Sequence, residues 1–372
     1  MEVSYKHREI YRTLIAEVAN GAYDATQRLP SEAQLVRRFG VSRPTAARAL
    51  RDLEAEGIVE RRVGAGSFLV KGSRPAITEK SRHLGLLLPG VFISEIFEIL
   101  TGELASLARA NDYSLLWGTS AHSRPRADLT VKDAEEICQH FIDRQVRGVF
   151  FAPFEFAPDK EKVSKRTAEQ LKRAGIAVVL LDRDLEPFPL RSDWDLVGID
   201  NVMAGYLAAE HLIKLGVRRI AFVVRPRSAP STTARIAGAR EALLAAGIEL
   251  PGKFVYCGEP EDAAFVRELT AGRTVDGIIC ANDFTAGHLM KSLAKAKIRV
   301  PEDIRLVGFD NMKYAELLAV SLTTISQPLR EIAANAIRVM LDRLADPTLP
   351  PAAVLSKPSL VVRASCGAFM RH

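Results

Sequence analysis

From residue 83 onward the chain alternates two patterns that together admit only one kind of sheet. Short, nearly unbroken apolar runs recur: HLGLLLPG, YSLLWGTS, RGVFFAPF, IAVVLLDR, LVGID, RIAFVVR, FVYCG, GIICAND and IRLVGFD. Between them lie stretches with helical apolar spacing, at 94–110, 133–144, 164–174, 202–215, 234–246, 261–271 and 284–296. A strand that is apolar on both sides must be covered on both sides, and crossover helices between parallel strands do this. Nine such strands exceed a comfortable single sheet. The expectation is therefore an α/β body of two doubly wound parallel-sheet lobes over residues 83–367.

The first 82 residues follow another rule. Ile10, Leu14, Ile15 and Val18 form one apolar stripe of a helix over 4–20. Ser31 is placed to cap a short helix, SEAQLVRRF, and Gly40-Val41 to turn the chain. Ser42 is placed to cap the next helix, SRPTAARALRDLEAEG, whose Pro44 sits in the first turn where no intrahelical N–H is needed. Two β-runs, IVERR and SFLVK, flank the glycine-rich tip Val63–Gly66. Residues 71–82, KGSRPAITEKSR, lack apolar periodicity and read as a linker, leaving 1–70 as a small α+β module. Charge divides the same way. Residues 1–82 carry 15 Lys and Arg against 10 Asp and Glu, and the remainder 36 against 35. A basic head on a near-neutral body suits a polyanionic partner, although a solvated surface without one fits the modest excess as well.

Several classes are excluded or disfavoured. With 48 % hydrophobic and 26 % charged residues the composition is globular. No apolar run is long enough for a membrane span, and the start MEVSYKHREIYRTL has no apolar signal region, so neither a membrane partner nor a secretory signal is expected. Cys138, Cys257, Cys280 and Cys366 form no paired motif, which suits a reducing cytoplasm. The chain has no HExxH, GxSxG or phosphate-loop motif, and its histidines show no metal spacing. We expect no enzyme, no metal and no cofactor.

The N-terminal pattern fits a winged helix–turn–helix, whose second helix projects polar residues of its first turn into the major groove. Ser42, Arg43 and Thr45 occupy that turn, with Arg48 and Arg51 further along. Gly64 and Gly66 would let a wing approach the duplex, and Arg61 and Arg62 would meet phosphates. The run RLPSEAQLVRRFGVSRPTAARALRDLEAEGIVERRVGAGSFLV resembles the head of GntR-type regulators over about residues 4–70. The resemblance adds Ser31, in the LPSE turn, to the DNA-contacting set. Ala33 and Ala46-Ala47 depart from the family pattern, and Ala47 removes an expected arginine. That shifts base reading toward Arg43, Thr45 and the wing.

In open parallel sheets ligands bind beyond the C-terminal strand ends. Polar residues there include Ser94, Glu95, Thr119, Ser120, Asp182, Arg183, Asp200, Asn201, Arg235, Asn282, Asp283, Asp310 and Asn311, with aromatic Phe92, Phe97, Trp194 and Phe284 nearby. Alternating donors and acceptors suit a polyhydroxyl ligand, and an aromatic ring suits the apolar face of a sugar. Each residue also has a plainer reading. The aspartates cap turns, Arg235 is a surface group, Asn282 or (preferably) Asp283 caps a helix, and the aromatics are core. The polar stretch from Ser123 to Glu136 is assigned no role.

Segments VGIDNVMAGYLAAEHLIKLGVRRIAFV, ARIAGAREAL, DGIICANDFTAG, IRVPEDIRLVGFDN, LTTISQP and LVVRAS resemble the effector domain of LacI/GalR-type repressors, which shares the periplasmic-binding-protein fold. The resemblance implies hydroxyl contacts for Asp182, Arg235, Asn282 and Asp310, with Gln327 near the lobe crossing. Phe92, Ser94 and Arg183 complete the expected effector set. Many relatives carry an aromatic residue after the strand matching FVYCG, whereas this chain reads GEPED. The combined expectation resembles the arabinose-repressor architecture: a cytoplasmic, homodimeric transcriptional regulator, binding double-stranded operator DNA under control of a small sugar or derivative. The alternative is a cytoplasmic solute-binding module that no longer reads DNA.

Overall fold

Each near-continuous apolar run forms a strand. In the computed structural model, GVFF of β5 (Gly148–Phe151), AVVLL of β6 (Ala177–Leu181) and IAFVV of β8 (Ile220–Val224) are buried along almost their whole length. The structure describes residues 10, 11, 13–15, 17, 18, 22, 23, 28–55, 57–62, 66–70, 82–88, 95–118, 131–155 and 159–370. The chain divides into two compact units, Met1–Ser81 and Arg82–His372.

In the first unit, helical residues between Ile10 and Val18 pack with two helices, Glu32–Phe39 and Arg43–Ala55. β1 (Val59–Arg62) and β2 (Gly66–Leu69) form an antiparallel hairpin. Ile10, Leu14, Leu35, Ala49, Leu50 and Leu53 make the core. Gly64 and linker residues 71–81 lie outside the described residues.

The second unit holds two six-stranded sheets. The first runs β13-β7-β6-β5-β3-β4, with β3 (His83–Leu87), β4 (Ser114–Trp117), β7 (Asp195–Ile199) and β13 (Ala353–Ser356), all parallel. The second runs β14-β12-β11-β10-β8-β9, with β9 (Val255–Cys257), β10 (Gly277–Cys280), β11 (Arg305–Phe309), β12 (Thr323–Ser326) and β14 (Ser359–Val361). Only β14 is antiparallel to its neighbour. The chain crosses between sheets three times: after β7, after β12 and after β13. The helix Leu329–Ala345 lies on β5, β6 and β7, returning the chain to the first sheet.

Nine runs read as strands are β3 to β11. β12, β13 and β14 were not among them. β12 is polar, TTIS, yet Thr323 and Thr324 are fully buried. Their hydroxyls donate to Arg363 O (3.0 Å) and Asp283 Oδ1 (2.6 Å), which removes the usual penalty for burying them.

Candidate functional site

Caps build the turn in the N-terminal unit. The Ser31 hydroxyl accepts from Gln34 N (3.4 Å) while Gln34 Oε1 accepts from Ser31 N (2.8 Å), starting the helix Glu32–Phe39. Gly40 ends it at φ +61°, and its N–H returns to Val36 O. The helix Arg43–Ala55 buries Thr45, Ala46, Ala49, Leu50 and Leu53 on one side. Ser42, Arg43, Arg48 and Arg51 are exposed. Thr45 is buried and its hydroxyl meets that of Ser42 at 2.8 Å, so Ser42 and Arg43 are the polar groups at the start of this helix that are open to solvent. In the hairpin, Arg61 is tied to Glu32 at 2.5 Å. Arg62 is more open, 3.5 Å from Glu60 and over the Phe68 ring. Gly66 has φ +114°, and a Cβ there would press on Arg28 Nε at 3.2 Å, so the wing needs glycine at this point.

In the second unit, strand ends of both sheets converge on one cavity of about 340 Å³. Asp182, Arg183, Arg235, Asn282, Asp310 and Gln327 all line it. Phe92 and Ser94, like Thr119 and Ser120, lie outside the described residues. Asp182 and Asp310 turn out of β6 and β11 at φ +67° and +109°, conformations that non-glycine residues rarely hold. Their N–H groups donate to Val197 O and Ile325 O on neighbouring strands, which fixes the turns. Arg235 is buried; its Nε donates to Asn201 Oδ1 (2.8 Å) and its Nη1 to Ala281 O (2.7 Å), over the Phe309 ring. Gln327 Nε2 donates to Asp310 Oδ1 at 2.9 Å. Polar contacts between the lobes include Lys313 N donating to Glu95 Oε2 (2.9 Å) and Lys160 Nζ donating to the carbonyls of Arg227 and Ser228.

Electrostatics follow from crowding. Arg183 is 3 % exposed, with Glu155 Oε2 at 2.6 Å and Asp182 Oδ2 at 3.1 Å. Neither contact has hydrogen-bond alignment, so Nε and Nη1 keep unmet donor capacity. Burial works against its charge, but Glu155 and Asp182 outweigh that and raise its pKa. Burial pushes the Asp310 carboxyl up to about 6 although Arg235 opposes the shift. Asp283 is fully buried and pushed up to about 8, by burial and then by Asp310.

Two expectations need correction. Asn282, not Asp283, caps the helix Asp283–Lys295, accepting from Thr285 N (2.9 Å) and Oγ1 (2.7 Å). Asp283 instead accepts from Thr324 Oγ1 and Met312 N, bracing β12 against the loop after β11. Trp194 stands before β7, at the N-terminal strand edge and away from the cleft, beside Lys172. The larger cavity there, about 680 Å³, holds none of the converging strand-end groups. Asp200 caps the helix Asn201–Lys214, as its plainer reading had it.

The matches to known proteins follow the same division. Residues 6–69 match the model of bacterial regulatory proteins of the gntR family, and residues 209–366 that of the periplasmic binding protein-like domain. The Arabinose metabolism transcriptional repressor of Geobacillus stearothermophilus is 23 % identical over 371 residues, covering 97 % of each chain. The chain is a GntR-type head on a LacI/GalR-type body. It is a DNA-binding transcriptional regulator. The HTH-type transcriptional regulator CelR of Thermobifida fusca is 34 % identical over 173 residues, 45 % of this chain and 51 % of that protein. A solved structure of a transcriptional regulator CelR–cellobiose complex superposes with a TM-score of 0.65 at 24 % identity. It covers 87 % of this chain and 91 % of that one, and it supports the fold.

The regulator's cleft also contains groups that sequence reasoning passed over. Glu155, Arg225, Ser228, Thr232 and Tyr314 line it. Glu155 had a usable signal: it is the first polar residue after RGVFFAPF, at a strand end like the others. Tyr314 had none, because its place depends on the short helix Lys313–Leu317. Among the described residues no helix is long and apolar enough to cross a membrane.

Proposed function

We propose that this regulator is a cytoplasmic repressor, acting as a homodimer on a palindromic operator and released by a small neutral sugar or sugar derivative bound in the cleft. The carrying observation is the convergence of Asp182, Arg235, Asn282, Asp310 and Gln327 on one cavity, within the size range of about 300–1,000 Å³ usual for small ligands. A hydroxyl both donates and accepts, and this set supplies carboxylate, guanidinium and amide partners in alternation. The lining charges balance, Glu155, Asp182 and Asp310 against Arg183, Arg225 and Arg235, which favours an uncharged ligand. In the head, Arg43 and Arg48 read the groove, with Ser31, Ser42, Arg62, Gly66 and the Gly64 tip positioning the duplex. Thr45 acts by holding Ser42. Two heads would meet half-sites about 34 Å apart, one DNA turn.

Gel mobility shift of the chain's own upstream region, with pentoses, hexoses and cellobiose added singly, tests this. The expected result is a specific shift that one sugar relieves. Absence of a shift even at low salt would defeat the DNA reading. A shift that no sugar alters, from protein that carries no sugar through purification, would defeat the effector reading.

A further inference from the structure

We propose that the cavity of about 680 Å³ at the N-terminal edge of the first sheet is a second small-molecule site, which takes an amphipathic monocarboxylate. Such a site is independent of any sugar in the cleft. Its floor is where β5, β6 and β7 begin: Val146, Ile176 and Val178 are buried there, and Asp195 opens β7. Its wall is the segment that follows the helix Leu329–Ala345, and that segment is fixed from within. Arg343 Nε and Nη2 donate to the two oxygens of Asp195 (2.9 and 3.0 Å), while Nη1 and Nη2 donate to the carbonyls of Pro347 and Pro350 (both 3.1 Å). Asp195 Oδ1 also accepts from Ala352 N at 2.8 Å. Arg343 and Asp195 thus hold the wall in place without an occupant, as a preformed site requires. Two other cations on the lining have no such task. Arg147 is half-buried and Lys172 is exposed, and among the described residues neither has a carboxylate partner. Lys172 Nζ lies 4.9 Å from the centroid of the Trp194 ring, which sets its charge against the apolar wall. The exposed Asp193 opposes these two, so one net positive charge remains once Arg343 and Asp195 are paired. A half-buried guanidinium without a counter-ion is short of acceptors, and a carboxylate supplies two. The rest of the lining includes Ile142, Trp194, Leu344 and Leu349, which receive a hydrocarbon or aromatic body and offer few partners to a polyol. The effector cleft lies at the other ends of β5 and β6. Strands of four or five residues span about 13–17 Å, so one small ligand cannot fill both spaces.

The chain has two tryptophans, Trp117 and Trp194, so in the full chain carrying Trp117→Phe the remaining emission reports on this cavity. Titration with octanoate, phenylacetate and cyclohexanecarboxylate, each beside its amide, tests the site. At least one carboxylate is expected to change the emission saturably, and its amide to bind about 10-fold or more weakly. Arg147→Gln and Lys172→Gln are each expected to weaken that carboxylate about 5- to 20-fold, with an unchanged melting midpoint. Arg235→Ala, which disables the cleft, should leave the titration within about 2-fold. No saturable change with any carboxylate at millimolar concentration would overturn the proposal. So would an amide that binds as well as its acid, or full affinity in either glutamine variant. Loss of binding in Arg235→Ala would put the probe in the cleft and overturn it equally.

Discussion

Gly205 lies so close to the backbone of Arg235 that a Cβ on it would fall 1.8 Å from the Arg235 carbonyl oxygen. The contact is reciprocal, because a Cβ on Gly238 would fall 1.8 Å from Val202 O. The two glycines let the helices Asn201–Lys214 and Ser231–Ala245 touch along their backbones, and Arg235 and its partner Asn201 sit at the top of that contact. Gly205→Ala must push the helices apart. Overpacking of this kind costs about 1–3 kcal/mol, and here it also draws Arg235 from Asn201 and Ala281. The expected outcome is a lower denaturation midpoint together with a weakened effector response at unchanged operator affinity. Unaltered stability would mean the helices part without cost.

Arg43 tests the N-terminal unit. It is exposed on the helix Arg43–Ala55, and its removal leaves the packed side of Ala46, Ala49, Leu50 and Leu53 untouched. A guanidinium paired with a base edge contributes about 1–3 kcal/mol of discrimination, so Arg43→Ala should lower operator affinity by about 5- to 150-fold. Non-specific binding should fall far less. Arg235→Ala should give the reverse pattern, an operator complex that no longer answers the effector. Titrations against operator and scrambled duplexes measure both.

The helix–turn–helix and the βαβ body were legible because their signals are local. Ser31, Gly40 and Ser42 punctuate the head, and a buried parallel strand such as AVVLL cannot hide its composition. What stayed illegible depends on pairings distant in sequence. Asn282 and Asp283 are equally good caps by type. Only the nearness of Thr324, 41 residues on, decides that the aspartate turns inward. β12 reads as a polar segment until Arg363 and Asp283 supply partners for its threonines. Trp194 was misplaced although it precedes the run LVGID, so that the direction of a parallel strand already put it at the N-terminal edge, away from the cleft.

Arg183 is buried between two carboxylates and under no pressure from solvent. Replacing it with Met keeps much of the volume but leaves Glu155 and Asp182 without their counter-charge. Losing one partner of a buried pair costs about 3–5 kcal/mol. The partial exposure of both carboxylates lowers the expectation to about 1–3 kcal/mol. Chemical denaturation of Arg183→Met should show that loss, and Glu155→Gln in the same background should recover part of it. Additive losses from the two substitutions would mean that the groups act independently.

Asp283 and Asp310 give the body a pH dependence of definite sign. Both carboxyls have folded pKa values raised above the ordinary 3.8, to about 8 and about 6. Between the unfolded and folded values the native state binds more protons than the unfolded one, so stability falls as pH rises. The full contribution is present below about pH 4 and is lost progressively through pH 6 to 8. Melting of the effector-free chain should therefore drop between pH 5 and pH 8, by roughly 2–4 °C for each kcal/mol lost in a domain of this size. Asp283→Asn keeps one acceptor oxygen, for Met312 N, and turns its NH2 toward Thr324 Oγ1, which can accept in place of donating; it removes the titration and relieves Asp310 of a neighbouring charge. It should flatten the profile and raise the midpoint at pH 8. A profile as steep as the unaltered chain's would show that other groups set the slope.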